Sequence, residues 1–107
     1  MMQWYRILTE EQVSKHLLIN KPLPVLIGNL ALALVWDGHT FFAFKNACPH
    51  NKAKLSDGKI NAFGEVICPW HEYRFNLKTG QECAQRSSDL QTYSVEKRPD
   101  GLYVFCN

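Results

Sequence analysis

Cys48-Pro49-His50 and Cys68-Pro69-Trp70-His71 decide how this 107-residue chain is read. Each segment sets a Cys and a His close together, with a Pro directly after the Cys. Seventeen residues, Asn51 to Ile67, separate the two. Thiolate and imidazole are strong ligands for soft and borderline metals, so two of each brought together make a metal site. Zinc accepts two Cys and two His in a tetrahedron, but the common order is both Cys and then both His. Here the types alternate, as two equivalent loops would supply them. A two-iron cluster fits that supply, one iron taking both Cys and the other both His. A structural zinc module on the same four residues stays open as an alternative.

Directly after the second segment runs Tyr73-Arg74-Phe75-Asn76-Leu77-Lys78-Thr79-Gly80. Together with Cys48, His50, Cys68 and His71, this tail resembles the Rieske 2Fe–2S family over residues 25 to 105. The resemblance implies one 2Fe–2S cluster held by Cys48, His50, Cys68 and His71. It implies a base built from residues 1–45 and 81–107, with a cluster-binding subdomain at about 46–80 inserted into it and the two loops at its tip. It also implies a small soluble electron carrier, not an enzyme alone, working between a reductase and a terminal oxygenase or reductase. The alternative from another class is a small subunit of a larger enzyme, similar to those of assimilatory nitrite reductase, which often lack the ligands that stand here.

Charge counting explains the two His. An oxidised cluster core of charge +2 becomes a dianion with four thiolates, but is neutral with two thiolates and two imidazoles. An electron enters a neutral site more easily, so such centres lie at about −150 to +300 mV, against about −400 mV for all-Cys plant-type clusters. Respiratory Rieske proteins carry an extra Cys in each loop and hydroxyl residues that bond the cluster sulfurs. Here the extra-Cys position of the second loop is Trp70, and the hydroxyl positions are Tyr73 and Phe75. Phe75 has no donor, so the resemblance points to the low-potential, ferredoxin-type branch. Two positions leave the family pattern: Lys52 and Glu72 stand where Gly is usual. Either the local backbone is ordinary with both side chains in solvent, or the two pair across the loops. Pro49 and Pro69 stiffen the loops or merely punctuate them.

Electrons leave through the most exposed end of a cluster, so the expected docking surface is Asn51, Lys52, Trp70 and Glu72, with Lys45 and Lys54 nearby. Four Lys and one Asp fall in residues 45–59, a weakly basic rim suited to an acidic partner or simply a solvated face.

Composition excludes several other functions. A net charge of +2 and the lack of a basic run interleaved with aromatics argue against nucleic acid. The longest apolar run, Leu30 to Trp36, is too short to cross a bilayer, and Met1 to Arg6 lacks the layout of a signal peptide. The expected location is the cytoplasm. No glycine-rich nucleotide fingerprint appears, and no small-molecule substrate is expected. Cys83 and Cys106 have no His at ligand spacing and read as ordinary small side chains. His16, near a helix end, and His39, beside a turn, also read as bystanders.

The fold class is mostly β, of stacked antiparallel sheets with one short N-terminal helix, in a single domain. Residues 3–8 open as a strand, and Thr9 with Gln12 forms a capping box for a helix over about 10–17. Leu30, Leu32, Leu34 and Trp36 alternate with Ala31, Ala33 and Val35, which predicts a strand packed on both faces. Asp37-Gly38 turns the chain into a return strand, 40–45. Residues 55–60 read as a connection, 65–67 as a lead into the second loop, and 73–75 as a return strand. The last hairpin reads as 92–97 and 102–105 about Pro99-Asp100-Gly101.

Overall fold

A computed structural model describes residues 1–107. Strand β1 (Gln3–Thr9) runs into the helix α1 (Glu10–His16). The predicted capping box forms: the Gln12 N–H donates to Thr9 Oγ1 at 3.2 Å, and the Thr9 N–H donates to Gln12 Oε1 at 2.8 Å. Then follow β2 (Leu23–Ile27), β3 (Leu30–Trp36) and β4 (Phe41–Lys45). A 3-10 turn, Leu55–Asp57, precedes β5 (Lys59–Ile60), β6 (Glu65–Ile67) and β7 (Arg74–Asn76). The chain closes with β8 (Thr92–Tyr93), β9 (Val95–Arg98) and β10 (Gly101–Cys106). The strands form three antiparallel sheets, in the orders β1-β10-β9, β2-β3-β4-β8 and β5-β6-β7.

The alternation in β3 divides the interior in two. Leu32 and Leu34 face a core shared with Leu8, Leu17, Ala43, Leu102, Val104 and Cys106. Ala33 and Val35 face a second core with Phe44, Leu55, Val66, Phe75, Leu77 and Leu90, and this core also holds Cys48 and Cys68. Strand β4 does the same, sending Ala43 to one side and Phe44 to the other. Full burial of a Leu or Phe contributes about 1.5–3 kcal/mol, so the paired strands are fixed from both faces at once. Pro24 is tolerated in β2 because that strand lies at the edge of its sheet and needs no inward N–H.

Two sequence readings are corrected. Residues 92–97 do not form one strand: Thr92–Tyr93 pairs with β4, and Val95–Arg98 pairs with β10, so the chain changes sheets at Ser94. The Ser94 carbonyl still accepts the Phe105 N–H at 3.0 Å, which keeps the crossing hydrogen-bonded. The connection over 55–60 contains a short strand, β5, that pairs with β6. The helix read over about 10–17 forms as Glu10–His16, with Leu17 as its cap, burying its side chain in the first core. No helix is long and apolar enough to cross a membrane.

Candidate metal centre

The two candidate ligand loops close in the same way. The Cys48 N–H donates to the Ala53 carbonyl at 2.8 Å, and the Cys68 N–H donates to the Tyr73 carbonyl at 2.7 Å. Each cysteine thus bonds to a residue five positions on, which folds Pro and His into a tight hook beyond it. The first hook is anchored at its base by Asn46, whose side chain accepts the Ser56 N–H at 2.8 Å and donates to Ser56 Oγ at 2.9 Å. The second is anchored beyond its far end by Gly80, which ends the tail read in the sequence. Its φ is +79°, its carbonyl accepts the Leu90 N–H at 2.7 Å, and a Cβ there would run into the Leu90 carbonyl oxygen.

Both cysteines sit in the core at 1% exposure or less, with free thiols. Burial pushes the Cys68 thiol up, and the neighbouring Cys48 adds to the shift. A thiolate in that setting needs a cation beside it rather than water. The Cys68 thiol also donates to Asn51 Oδ1 at 3.8 Å across the loops. The histidines lie toward the outside, with His50 half-buried and His71 exposed. Their rings are 5.6 Å apart between centroids and inclined at 74°. His50 Nδ1 is buried with no hydrogen-bond partner. Such an orphan costs about 1–3 kcal/mol unless something binds it, and a metal ligand is what an imidazole nitrogen becomes in that position.

The donors therefore come as two pairs, thiols inside and imidazoles outside. A single zinc needs all four on one point. Two irons need two and two, and the donor set fits that demand.

Comparison with known proteins agrees with the donor chemistry. A model of the Rieske [2Fe-2S] domain matches residues 3–94. The chain belongs to the Rieske [2Fe–2S] family. Among its relatives is the ferredoxin subunit of 3-phenylpropionate/cinnamic acid dioxygenase from Photorhabdus laumondii, 34% identical over 70 residues, which are 64% of this chain and 66% of that one. Among solved structures, the ferredoxin of carbazole 1,9a-dioxygenase from Nocardioides aromaticivorans IC177 superposes with a TM-score of 0.81 at 27% identity, covering 95% of this chain and 96% of the other. A protein described as an NADH-dependent nitrite reductase small subunit, from Mycobacterium tuberculosis, has a TM-score of 0.82 at 21% identity, covering 100% of this chain and 97% of the other, which shows a common fold. As a Rieske protein the chain carries a 2Fe–2S cluster, and the relatives named as ferredoxin components are electron carriers.

Lys52 and Glu72 are exposed, as the first reading expected, but their backbone is not ordinary and the pairing does not form. Lys52 has φ +65° and Glu72 has φ +53°, with His71 beside it at +63°. The backbone is left-handed there, as the usual glycine allows, and these residues hold it at a cost of roughly 1–2 kcal/mol each. Each ion pair of the fold joins other residues, so Lys52 and Glu72 do not pair. Asn51, Lys52 and Trp70 line one shallow depression with Ala53, while Glu72 lines another with His71, Arg74 and Arg86. Trp70 is 63% exposed. Asn51 turns its side-chain oxygen inward to accept the Ala53 N–H at 3.0 Å, so it holds the loop as well as facing outward.

His16 ends α1, and His39 donates its N–H to Asp37 Oδ1 at 2.8 Å within a turn, both far from the loops in role. Cys106 is buried in the first core, and burial pushes its thiol up. Cys83 is exposed and donates to Glu82 Oε2 at 3.2 Å. Sequence reading missed Glu82 and Arg86 altogether. A Glu between Gln81 and Cys83 carries no periodic or motif signal, yet its side chain is shut from water.

Proposed function

We propose that this chain is the ferredoxin component of a multicomponent oxygenase, carrying single electrons from a reductase to a terminal oxygenase through Cys48, His50, Cys68 and His71. The observation that carries the reading is the polarity of the site. The thiol pair lies in the core and the imidazole pair lies at the surface, so the histidine end is where a partner comes within transfer distance. When bound, the cluster supplies a one-electron couple whose potential the two imidazoles raise.

The protein's part is to hold and to present. Cys48 and Cys68 would hold one iron from apolar surroundings. His50 and His71 would hold the other from the surface side. Trp70, Lys52, Asn51 and Glu72 form the contact surface, an exposed aromatic ring beside a cation, suited to brief docking on an acidic patch. We divide the chain into a base of residues 1–45 and 81–107 and a cluster-binding subdomain of about 46–80. The containment of β5, β6 and β7 within 46–80 supports that division. We assign the carrier to the cytoplasm, where free thiols such as Cys83 and Cys106 stay reduced. The test is rapid mixing of the reduced protein with purified oxygenase of an aromatic-ring dioxygenase system. Reoxidation within the oxygenase's turnover time supports the reading, whereas co-purification as a fixed subunit of a larger reductase removes it.

A further inference from the structure

Arg86 lies outside every metal-binding segment of the sequence, yet it reaches the site through a stack of three planar groups. Its guanidinium carbon is 4.0 Å from the centroid of the Tyr73 ring. The His50 imidazole is 3.9 Å from the same ring and 13° from parallel with it. Two groups at that height over one ring must lie on opposite faces, so the order is Arg86, Tyr73, His50. Glu82 holds the far end. Its carboxylate, with no exposure to water, accepts from Arg86 Nε at 3.0 Å, from Nη2 at 2.8 Å and from the Arg86 backbone N–H at 2.7 Å. A two-point fork fixes the plane of a guanidinium as a single ammonium contact does not. Arg86 holds the Glu82 carboxyl far below the usual carboxylate range, so the fork persists through the pH range in which the protein works.

We propose that Arg86 is a positioning residue for the cluster ligand His50: fixed in plane by Glu82, it presses the Tyr73 ring flat against the imidazole and sets the direction in which His50 Nδ1 points. The inference rests on the reading of His50 as a ligand. Metal-bound imidazoles are usually aimed by a hydrogen bond from their second nitrogen, and such supporting contacts tune the metal. Here a stacked ring held by a cation does the aiming. The same cation lies two stacking distances from the imidazole. Reduction adds one negative charge to the site, so Arg86 favours the reduced form.

The test starts with iron content, acid-labile sulfide and the visible spectrum of the wild-type protein. A preparation with no cluster overturns the ligand reading and this inference together. In loaded protein, the EPR g-values of the reduced form read ligand geometry, and a redox titration reads the charge. Tyr73→Phe, which keeps the ring, retains wild-type g-values and midpoint. Tyr73→Leu, at full iron content, shifts the g-values. Arg86→Gln moves the midpoint negative, since a cation is lost and the Glu82 charge is uncovered. If that variant does not fold, the double variant Glu82→Gln with Arg86→Gln removes both charges together and shifts the g-values as Tyr73→Leu does. A purely structural role would lower the melting temperature and leave the g-values of loaded protein unmoved. Wild-type g-values in both Tyr73→Leu and the double variant, at full iron content, overturn the proposal while leaving the ligand reading intact.

Discussion

The carboxylate of Glu82 grips Arg86 with two side-chain hydrogen bonds of 3.0 and 2.8 Å, and its own side chain has no contact with water while that of Arg86 is 42% exposed. An ion pair of this kind is poor evidence of net stability, because desolvation offsets attraction. Breaking it is another matter. Arg86→Ala leaves a buried charge without a partner, and we expect a loss of about 3 kcal/mol, the low end of the range for broken buried pairs because Arg86 is open to water on one side. Urea unfolding of wild type and variant measures it.

The same pair fixes a pH dependence. The folded-state pKa of Glu82 is depressed, chiefly by its hydrogen bonds to Arg86. Its contribution to stability is therefore fully present above the unfolded value, about 4.3, and fades as the pH falls from there toward the folded value. Unfolding free energies followed from pH 7 to pH 3 should fall more steeply in wild type than in Glu82→Gln. Equal slopes would show that other carboxylates govern acid sensitivity.

Backbone conformation in the second loop gives a prediction of opposite sign. Glu72 holds φ +53° with an exposed side chain that joins no ion pair. Glu72→Gly removes roughly 1–2 kcal/mol of left-handed strain and adds roughly 0.5–1 kcal/mol of chain entropy to the unfolded state. A net gain of about 0.5–1 kcal/mol is expected, readable as a raised urea midpoint with the visible spectrum unchanged. A lowered midpoint would mean that the Glu72 side chain makes a contact in solution worth more than the strain.

The potential is expected in the lower half of the Rieske range of about −150 to +300 mV. Phe75 is fully buried and has no donor to offer a cluster sulfur, and all four cysteines are free, so the loops carry no disulfide. Hydrogen bonds to sulfur are what raise the potential in this class of centre. Spectroelectrochemical titration near neutral pH settles the value.

Trp70→Ala should keep iron, sulfide and visible spectrum, because the ring is 63% exposed and its loss opens no cavity. Electron transfer to the partner oxygenase at sub-saturating concentration should slow by about 5-fold or more, as the removal of an aromatic hot-spot contact costs over about 1 kcal/mol. An unchanged transfer rate would take Trp70 off the docking surface.

Much of this was legible in the sequence because the physics was local. The capping box needs only Thr9 and Gln12 three residues apart. The two-faced packing of β3 is written in the alternation of Leu32 and Leu34 with Ala33 and Val35. The four candidate ligands are chemically distinctive, and their spacing alone divides them between two loops. What stayed hidden depended on distant partners. Thr92 to Lys97 is an unbroken run of strand-compatible residues, and only the positions of β4 and β10 decide that it changes sheets at Ser94. Glu82 and Arg86 look like two solvated charges until Tyr73 arrives from another loop. The left-handed backbone at Lys52 and Glu72 could be suspected from glycine's usual place there, yet the residue types themselves argue for ordinary conformation.

The depth of Cys48 and Cys68 ties the site to the interior. Both pack in one core with Leu55, Val66, Leu77 and Leu90, the core that β3 and β4 complete. The residues that would grip a cluster are thus the same residues that close the hydrophobic interior. Filling the site and settling the core are coupled, so that loading with iron and sulfide should raise the melting temperature of the whole chain and not of the loops alone.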